Sequence, residues 1–284
     1  MSSAIKIVEC PRDAMQGISA FIPTSTKTAY INQLLKVGFD TIDFGSFVSP
    51  KAIPQLKDTA QVLAGLDLSN TKSKLLSIIA NTRGVETACN FEEIDYLGFP
   101  LSVSELFQKR NTNKSIEAAL NEVEKIQNLS VKNSKELVVY LSMAFGNPYG
   151  ENYHPDIVAE LTEKLNQLDI GIIALSDTIG VSNPSNIAPL FSTLINEYSK
   201  IEFGAHFHTT PDKWEEKVDS AYQNGCKRFD SAIKGFGGCP MAKDELTGNM
   251  PTEKLFSFFK SKGIDLSVDN SAFERVVNNM STYF

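Results

Sequence analysis

Short apolar runs alternate with longer stretches that carry apolar residues on one helical face. Strands are predicted for the short runs, at 4–9, 39–44, 74–80, 92–99, 136–144, 171–176, 201–207 and 228–233. Helices are predicted for the longer stretches, at 25–37, 52–64, 115–128, 157–167, 187–198, 213–222, 252–262 and 272–279. This alternation is typical of α/β proteins with a parallel sheet.

Eight such strands predict a parallel (β/α)8 TIM barrel with an additional C-terminal helix. A chain of 284 residues suits one barrel, and no linker or low-complexity tract divides it. We therefore expect a single catalytic domain over residues 1–284. The alternative is an open doubly wound sheet, which usually has a glycine-rich dinucleotide loop after its first strand. The segment CPRDAMQG that follows the first strand here is not such a loop.

The composition of the chain limits the kinds of partner that it is expected to bind. The net charge is −7 and there is no long basic run, which argues against nucleic-acid binding. No segment reaches the roughly 18 to 20 apolar residues that a membrane span needs. Since the first predicted strand begins at residue 4, we expect no targeting segment before it, and none of the four cysteines forms a CxxC pair. We therefore expect a cytoplasmic protein with reduced thiols.

Polar residues stand where the predicted strands end. In TIM barrels the carboxyl ends of the strands meet at one mouth, and this is where the chemistry takes place. The residues at these ends include Arg12, Asp13, Asp43, Asp177, His206 and His208. The sequence therefore predicts a polar site at the mouth of the barrel.

His206 and His208 lie two residues apart at the end of the seventh strand. Because side chains alternate along a strand, both rings should lie on the same face and share one metal ion. Asp13 and an asparagine of the last loop would complete a mixed nitrogen and oxygen site, which suits Mg²⁺ or Mn²⁺, with Zn²⁺ or Co²⁺ as alternatives. The competing interpretation is two ordinary core or surface histidines.

A glycine-rich loop, GFGGCPMAKDELTGN, covers residues 235–249. Glycines allow close approach to a ligand, so Cys239 is a candidate functional thiol, with a buried packing cysteine as the alternative. Arg12 should hold an anion or a carbonyl oxygen unless it forms an ion pair with Asp43 or Asp177. Asp177 could instead cap the next helix.

Several motifs carry a family resemblance: IKIVECPRDAMQ, SFVSPK, SELFQKRN, GNPYGE, LSDTIGV and GFGGCPMA followed by TGN. Over about 5–274 the chain resembles 3-hydroxy-3-methylglutaryl-CoA (HMG-CoA) lyases. These belong to a larger, pyruvate carboxyltransferase-like group of HxH metal-dependent barrel lyases and synthases. The resemblance implies retro-Claisen cleavage of HMG-CoA to acetyl-CoA and acetoacetate.

The resemblance also implies roles for individual residues. Metal ligation falls to Asp13, His206, His208 and Asn249. The implied catalytic residues include His206, Arg12, which would stabilise an enolate oxygen, and Cys239, which would act as general acid or base. Asp43 and Asp177 would orient the substrate or the metal ligands. Glu253 would be a supporting residue.

The chain also departs from the family. Asp43 stands where the family usually has Glu, and Thr209 where it has Asp. The loop GISAFIP lacks the family's acidic–basic pair, and the chain ends at Phe284, before a basic tail segment that holds CoA in animal members.

The substrate is expected to be a small acyl-CoA or hydroxy acid. A divergent lyase or aldolase of the group and a metal- or metabolite-binding barrel without turnover are the alternatives. Homodimers are common for such barrels, and the sequence leaves the oligomeric state open.

Overall fold

A computed structural model describes residues 4–238 and 247–283. In this part of the chain eight parallel strands form one sheet, which closes because β6 pairs with β7. The strands are β1 Lys6–Glu9, β2 Thr41–Ser46, β3 Lys74–Ile78, β4 Tyr96–Ser102, β5 Glu136–Ser142, β6 Ile172–Asp177, β7 Glu202–Thr209 and β8 Arg228–Ser231. The prediction of a (β/α)8 barrel is confirmed.

Helices connect the strands. They are α1 Pro11–Gln16, α2 Thr24–Val37, α3 Thr59–Ala64, α4 Thr82–Ala88, α5 Glu105–Thr112, α6 Ile116–Lys132, α7 Pro155–Gln167, α8 Pro184–Glu197, α9 Trp214–Gln223, α10 Thr252–Ser261 and α11 Asn270–Asn278. The last of these is the additional C-terminal helix that the sequence predicted. Among the helices described here, none has the length and apolarity to cross a membrane.

The core has two layers. A large apolar cluster lies between the sheet and the helices, where Leu97 and Val139 of the strands meet Val123 of α6. A smaller cluster fills the inside of the barrel, formed by Leu76, Tyr96, Val138, Tyr140, Ile172 and Ala174. Because both faces of a parallel strand are buried in this way, the strands are nearly continuous apolar runs.

The end of β1 differs from the prediction. We expected Arg12 and Asp13 at the end of the strand, but β1 ends at Glu9 and both residues lie in the short helix α1. Pro11 begins this helix, since its fixed φ suits the first helical position and its missing N–H is not needed there. The helix packs against β2, so its first turn lies over the barrel mouth.

Three other helices also differ from the prediction. The single helix expected at 52–64 is a 3-10 turn at Pro54–Leu56 followed by α3, because Pro54 disfavours the helical conformation of the residue before it. Helices α4 and α5 were not predicted. Each begins at a side-chain cap, Asn81 on the N–H of Gly84 and Ser104 on the N–H of Phe107.

A short ninth strand, β9 Gly248–Asn249, pairs antiparallel with the end of β7. In this pairing Asn249 lies opposite His208, and Gly248 lies opposite Thr209. The segment that follows the glycine-rich loop is therefore fixed to the strand that carries the two histidines. Thr209 is buried in this pairing.

Candidate metal centre and catalytic pocket

Asp13, His206 and His208 come together at the barrel mouth. Each offers one ligand atom, and these atoms lie within 4.8 Å of one another. The two imidazole rings lie on the same face of β7, with ring centroids 5.4 Å apart. The alternation of side chains along the strand therefore places both rings on one face, as the sequence predicted.

The hydrogen bonds of His208 define which nitrogen faces the cluster. Its Nδ1 lies 2.9 Å from the carbonyl oxygen of Thr178. Since a carbonyl oxygen can only accept, Nδ1 carries the proton and Nε2 presents its lone pair. This Nε2 is buried and has no hydrogen-bond partner among the described residues. A buried nitrogen acceptor without a protein partner, beside a carboxylate, fits a metal ligand.

His206 is oriented by a carboxylate. Its Nδ1 lies 3.0 Å from Oδ2 of Asp230, which leaves Nε2 for the cluster. Burial acts to lower the pKa of His206, but the hydrogen bond and the charge of Asp230 outweigh it, so this pKa is raised. Sequence reasoning missed Asp230, although it lies on β8, adjacent to the histidine strand.

Asp13 is held by three side chains. Its Oδ1 accepts from Nη1 of Arg12 at 2.8 Å and from Nε2 of Gln16 at 2.6 Å. Its Oδ2 accepts from Nδ2 of Asn249 at 2.7 Å. Burial acts to raise the pKa of Asp13, but the charge of Arg12, the two histidines and the hydrogen bond from Asn249 together outweigh it, so the pKa is lowered to about 2. Asp13 therefore carries a negative charge at neutral pH.

Asn249 can offer an oxygen to the same site. Its amide nitrogen donates to Asp13 and to the carbonyl oxygen of Phe236, at 2.8 Å, so its side-chain oxygen is the atom available to a metal. Together with Asp13, His206 and His208 this makes a set of two nitrogen and two oxygen donors. Such a mixed set, with one negative charge, fits a divalent ion.

Arg12 forms the ion pair with Asp43 that the sequence offered as an alternative. Its Nε and Nη2 both donate to Oδ2 of Asp43, at 3.0 and 2.6 Å. Its Nη1 donates to Asp13 and to Gln16. A guanidinium has five N–H donors. Because these contacts use four of them, one N–H of Nη2 has no partner among the described residues and can bind a ligand oxygen in the pocket.

Asp43 lies beneath Arg12 and is fully buried. Burial raises the pKa of Asp43 against the opposing effect of the guanidinium. In its observed position the carboxylate orients Arg12. The catalytic role that the resemblance implies for Asp43 stays a prediction.

Asp177 is not among the residues that line the cavity at the barrel mouth, as far as the structure describes that cavity. Its carboxylate accepts from Nζ of Lys217 at 2.7 Å and from the backbone N–H groups of Val181 and Ser182. It therefore organises the turn after β6, and the catalytic role that the resemblance implies for it stays a prediction. It does not cap α8 as the sequence alternative suggested, since that helix has Asn183 as its N-cap.

Glu253 lies in the first turn of α10 and accepts from the backbone N–H of Lys234 at 2.9 Å. It therefore supports the turn that leads into the glycine-rich loop. Cys239 falls outside the described residues.

Sequence reasoning missed the buried Glu9. This residue accepts from the N–H of Ile233 at 2.9 Å and from the hydroxyl of Thr252 at 2.6 Å. Burial raises the pKa of Glu9 to about 8. Together with Glu253 it fixes the segments on both sides of the glycine-rich loop.

A cavity of about 790 Å³ opens over the cluster, a size typical of small-molecule sites. The cavity is lined by different parts of the barrel. Its lining includes the charged, polar and aromatic residues Arg12, Asp13, Tyr140, His206 and His208, together with Val48, Ile53, Phe107 and Arg110. The metal-site candidates and Arg12 therefore face one common cavity.

Comparison with known proteins decides the family. The HMGL-like family model matches residues 4–280, nearly the whole chain. This chain belongs to the HMGL-like family. Two curated HMGL-like relatives are 32% identical to it. The cytoplasmic 3-hydroxy-3-methylglutaryl-CoA lyase of Rattus norvegicus is matched over 93% of this chain and 77% of its own length. A hydroxymethylglutaryl-CoA lyase of Bacillus subtilis is matched over 91% and 85%.

Solved structures agree with this membership. The HMG-CoA lyase of Bacillus subtilis has a TM-score of 0.92 and 30% identity, over 98% of this chain and 93% of that one. An HMG-CoA lyase of Acinetobacter baumannii in complex with coenzyme A and 3-methylmalate has a TM-score of 0.90 and 29% identity, over 99% and 92%. The carboxyl transferase domain of Rhizobium etli pyruvate carboxylase, at 14% identity and a TM-score of 0.67, shares the fold.

Proposed function

We propose that this HMGL-like protein is a metal-dependent carbon–carbon lyase that cleaves HMG-CoA to acetyl-CoA and acetoacetate. The observation that carries the proposal is the placement of Asp13, His206, His208 and Arg12 in one cavity. The named activity of the relatives and the coenzyme A complex of a structural neighbour support the choice of substrate.

The proposed metal ligands are Asp13, His206, His208 and Asn249, and the proposed ion is Mg²⁺ or Mn²⁺. When bound, a divalent ion supplies Lewis-acid polarisation of substrate oxygens. The hydrogen bonds that the two Nδ1 atoms donate to Thr178 and Asp230 leave both histidine Nε2 atoms for this role, which supports the two histidines as ligands.

The cleavage moves two electron pairs and one proton. The 3-hydroxyl gives its proton to a base, for which we propose the thiolate of Cys239, and the O–H electron pair becomes the second carbon–oxygen bond of the acetoacetate ketone at C3. The C2–C3 bond breaks, its electron pair passes to the thioester enolate, and return of the proton to C2 gives acetyl-CoA. The remaining N–H of Arg12 is a fixed donor for the oxygen on which this charge develops. Cys239 is proposed as the acid that protonates C2.

We also infer one catalytic domain and a cytoplasmic location. The continuous match over residues 4–280 supports the single domain. The cytoplasmic rat relative supports the location, although other relatives are mitochondrial.

The test is acetyl-CoA release from HMG-CoA by the purified protein with Mg²⁺ or Mn²⁺. Turnover should stop with EDTA and return when metal is added back. It should fall to background in His206→Ala, which loses a ligand, and fall strongly in Cys239→Ala, which loses the proposed acid. Metal binding without turnover of HMG-CoA would overturn the substrate assignment in favour of a related lyase or a binding protein.

A further inference from the structure

Lys217 of α9 is fully buried, and its ammonium group contacts the segments that hold His208. Its Nζ donates to Oδ2 of Asp177 at 2.7 Å, to the carbonyl oxygen of Gly180 at 3.1 Å and to that of His208 at 2.9 Å. An ammonium has three N–H donors, so all three are used. Two of the contacts are to the turn after β6, and the third is to β7.

The turn after β6, residues 177–182, determines the orientation of the His208 ring. The carbonyl oxygen of Thr178 accepts from Nδ1 of His208. The same turn is closed by Asp177, which accepts from the N–H of Val181 at 2.8 Å and that of Ser182 at 3.0 Å. Lys217 therefore joins the backbone of His208 to the turn that fixes the tautomer of its ring.

We infer that Lys217 is a positioning residue for the proposed metal centre. Through the turn after β6, Lys217 holds His208 with Nδ1 protonated and Nε2 directed at the ion. It touches neither the ion nor the substrate. The inference rests on the proposed metal site and gives a role to a buried lysine that contacts the backbone of one of its histidines. Outer partners of metal-binding histidines commonly change metal affinity by roughly 10- to 100-fold.

The chain offers a matched control. Lys27 and Asp58 form a second buried ion pair, with Nζ and Oδ1 2.7 Å apart, between α2 and the residue before α3. Lys27 is only 2% exposed. Substitution of this pair removes a similar buried contact without touching His208 or its turn. It therefore separates a general loss of stability from a specific effect on the metal site.

The first measurement uses the metal-free wild-type protein. Nitrogen-15 NMR of labelled histidine distinguishes the two neutral tautomers, and the chain has only three histidines to assign. We expect His208 in the Nδ1–H form. A His208 in the Nε2–H form, or a mixture of the two, would overturn the inference without the need for any variant.

The second measurement is Mn²⁺ affinity by electron paramagnetic resonance. Lys217→Met should weaken binding roughly 10- to 100-fold. The double variant Lys217→Met/Asp177→Asn leaves no unpaired buried charge, so it should be more stable than Lys217→Met and still bind Mn²⁺ weakly. Lys27→Met/Asp58→Asn should lose stability and keep wild-type affinity.

Wild-type Mn²⁺ affinity in the folded double variant would overturn the role of Lys217 and leave the lyase proposal intact. A wild-type protein that binds no Mn²⁺ would instead contradict the metal site itself. The two failures are therefore distinguishable.

Discussion

The two sides of the candidate metal centre are held by different means. On the α1 side, Asp13 is fixed by other side chains, namely those of Arg12, Gln16 and Asn249. On the β7 side, the two imidazoles are fixed by the strand itself, by a backbone carbonyl and by Asp230. One side depends on the balance of charges between neighbouring groups, and the other on the direction of hydrogen bonds.

This difference predicts different responses to substitution. A change on the α1 side disturbs several buried charges at once, since Arg12 contacts both Asp13 and Asp43. Removing one member of a buried ion pair leaves the other charge without compensation, which is strongly destabilising. A change on the β7 side should alter ring orientation and metal affinity while most of the surrounding charge remains balanced.

The largest effect is expected for Arg12→Lys. Lysine keeps the charge but cannot bind Asp43 with two nitrogens and Asp13 with a third. We expect kcat for acetyl-CoA release to fall by about 10³-fold, or about 4 kcal/mol. The control is Arg83→Lys, the same change at an exposed position of α4. A loss of tenfold or less in Arg12→Lys would mean that charge alone suffices on this side.

A smaller effect is expected for Asp230→Asn, which replaces the carboxylate partner of His206 by a neutral amide. Metal affinity should fall roughly 10- to 100-fold, or about 1.4 to 3 kcal/mol, because the ring is no longer held in one tautomer. Calorimetric titration with Mn²⁺ measures this. Asp219→Asn, at a half-exposed ion pair with Lys262, is the control. Equal affinities in the two variants would show that the strand alone orients His206.

The third prediction concerns stability rather than turnover or metal affinity, and its subject is Glu9, which joins the end of β1 to the segments flanking the glycine-rich loop. Burial raises the pKa of Glu9 from 4.5 to about 8. Between these values the unfolded chain loses a proton that the folded protein keeps. The contribution of Glu9 to stability therefore falls as pH rises, by at most about 1.4 kcal/mol per pH unit, and becomes constant above pH 8.

Glu9→Gln should remove this slope, because glutamine does not ionise and can still accept from Ile233. Urea unfolding of both proteins at several pH values between 5 and 8 measures the difference between their free energies of unfolding. The titration of other groups affects both proteins equally, so its contribution cancels in this difference. A difference that stays constant with pH would show that Glu9 is ionised in the folded protein.

The periodicity of the chain was sufficient for the barrel, since apolar runs of strand length separated by helical stretches are a local property. It was also sufficient to place His206 and His208 on one face of β7. It was insufficient for α1, where the expected continuation of the strand is a helix that begins at Pro11. The proline was visible in the sequence, but a six-residue helix is too short to give a periodic signal.

The partners of the site residues could not be predicted in the same way. Asn249 reaches His208 because β9 pairs with β7, and Lys217 reaches Asp177 across 40 positions of sequence. No local pattern identifies a lysine that will be fully buried, because the burial depends on how α9 packs against the barrel.

The sequence by itself therefore determined the strand and helix alternation, the paired histidines and the family to which the chain belongs, because each is written in local spacing or in motifs. The tertiary structure alone decided that Arg12 is committed to Asp43 and Asp13, that Asp177 faces Lys217, and which nitrogen of His208 faces the cluster. These depend on burial and on contacts between distant segments, and both arise only when the barrel closes.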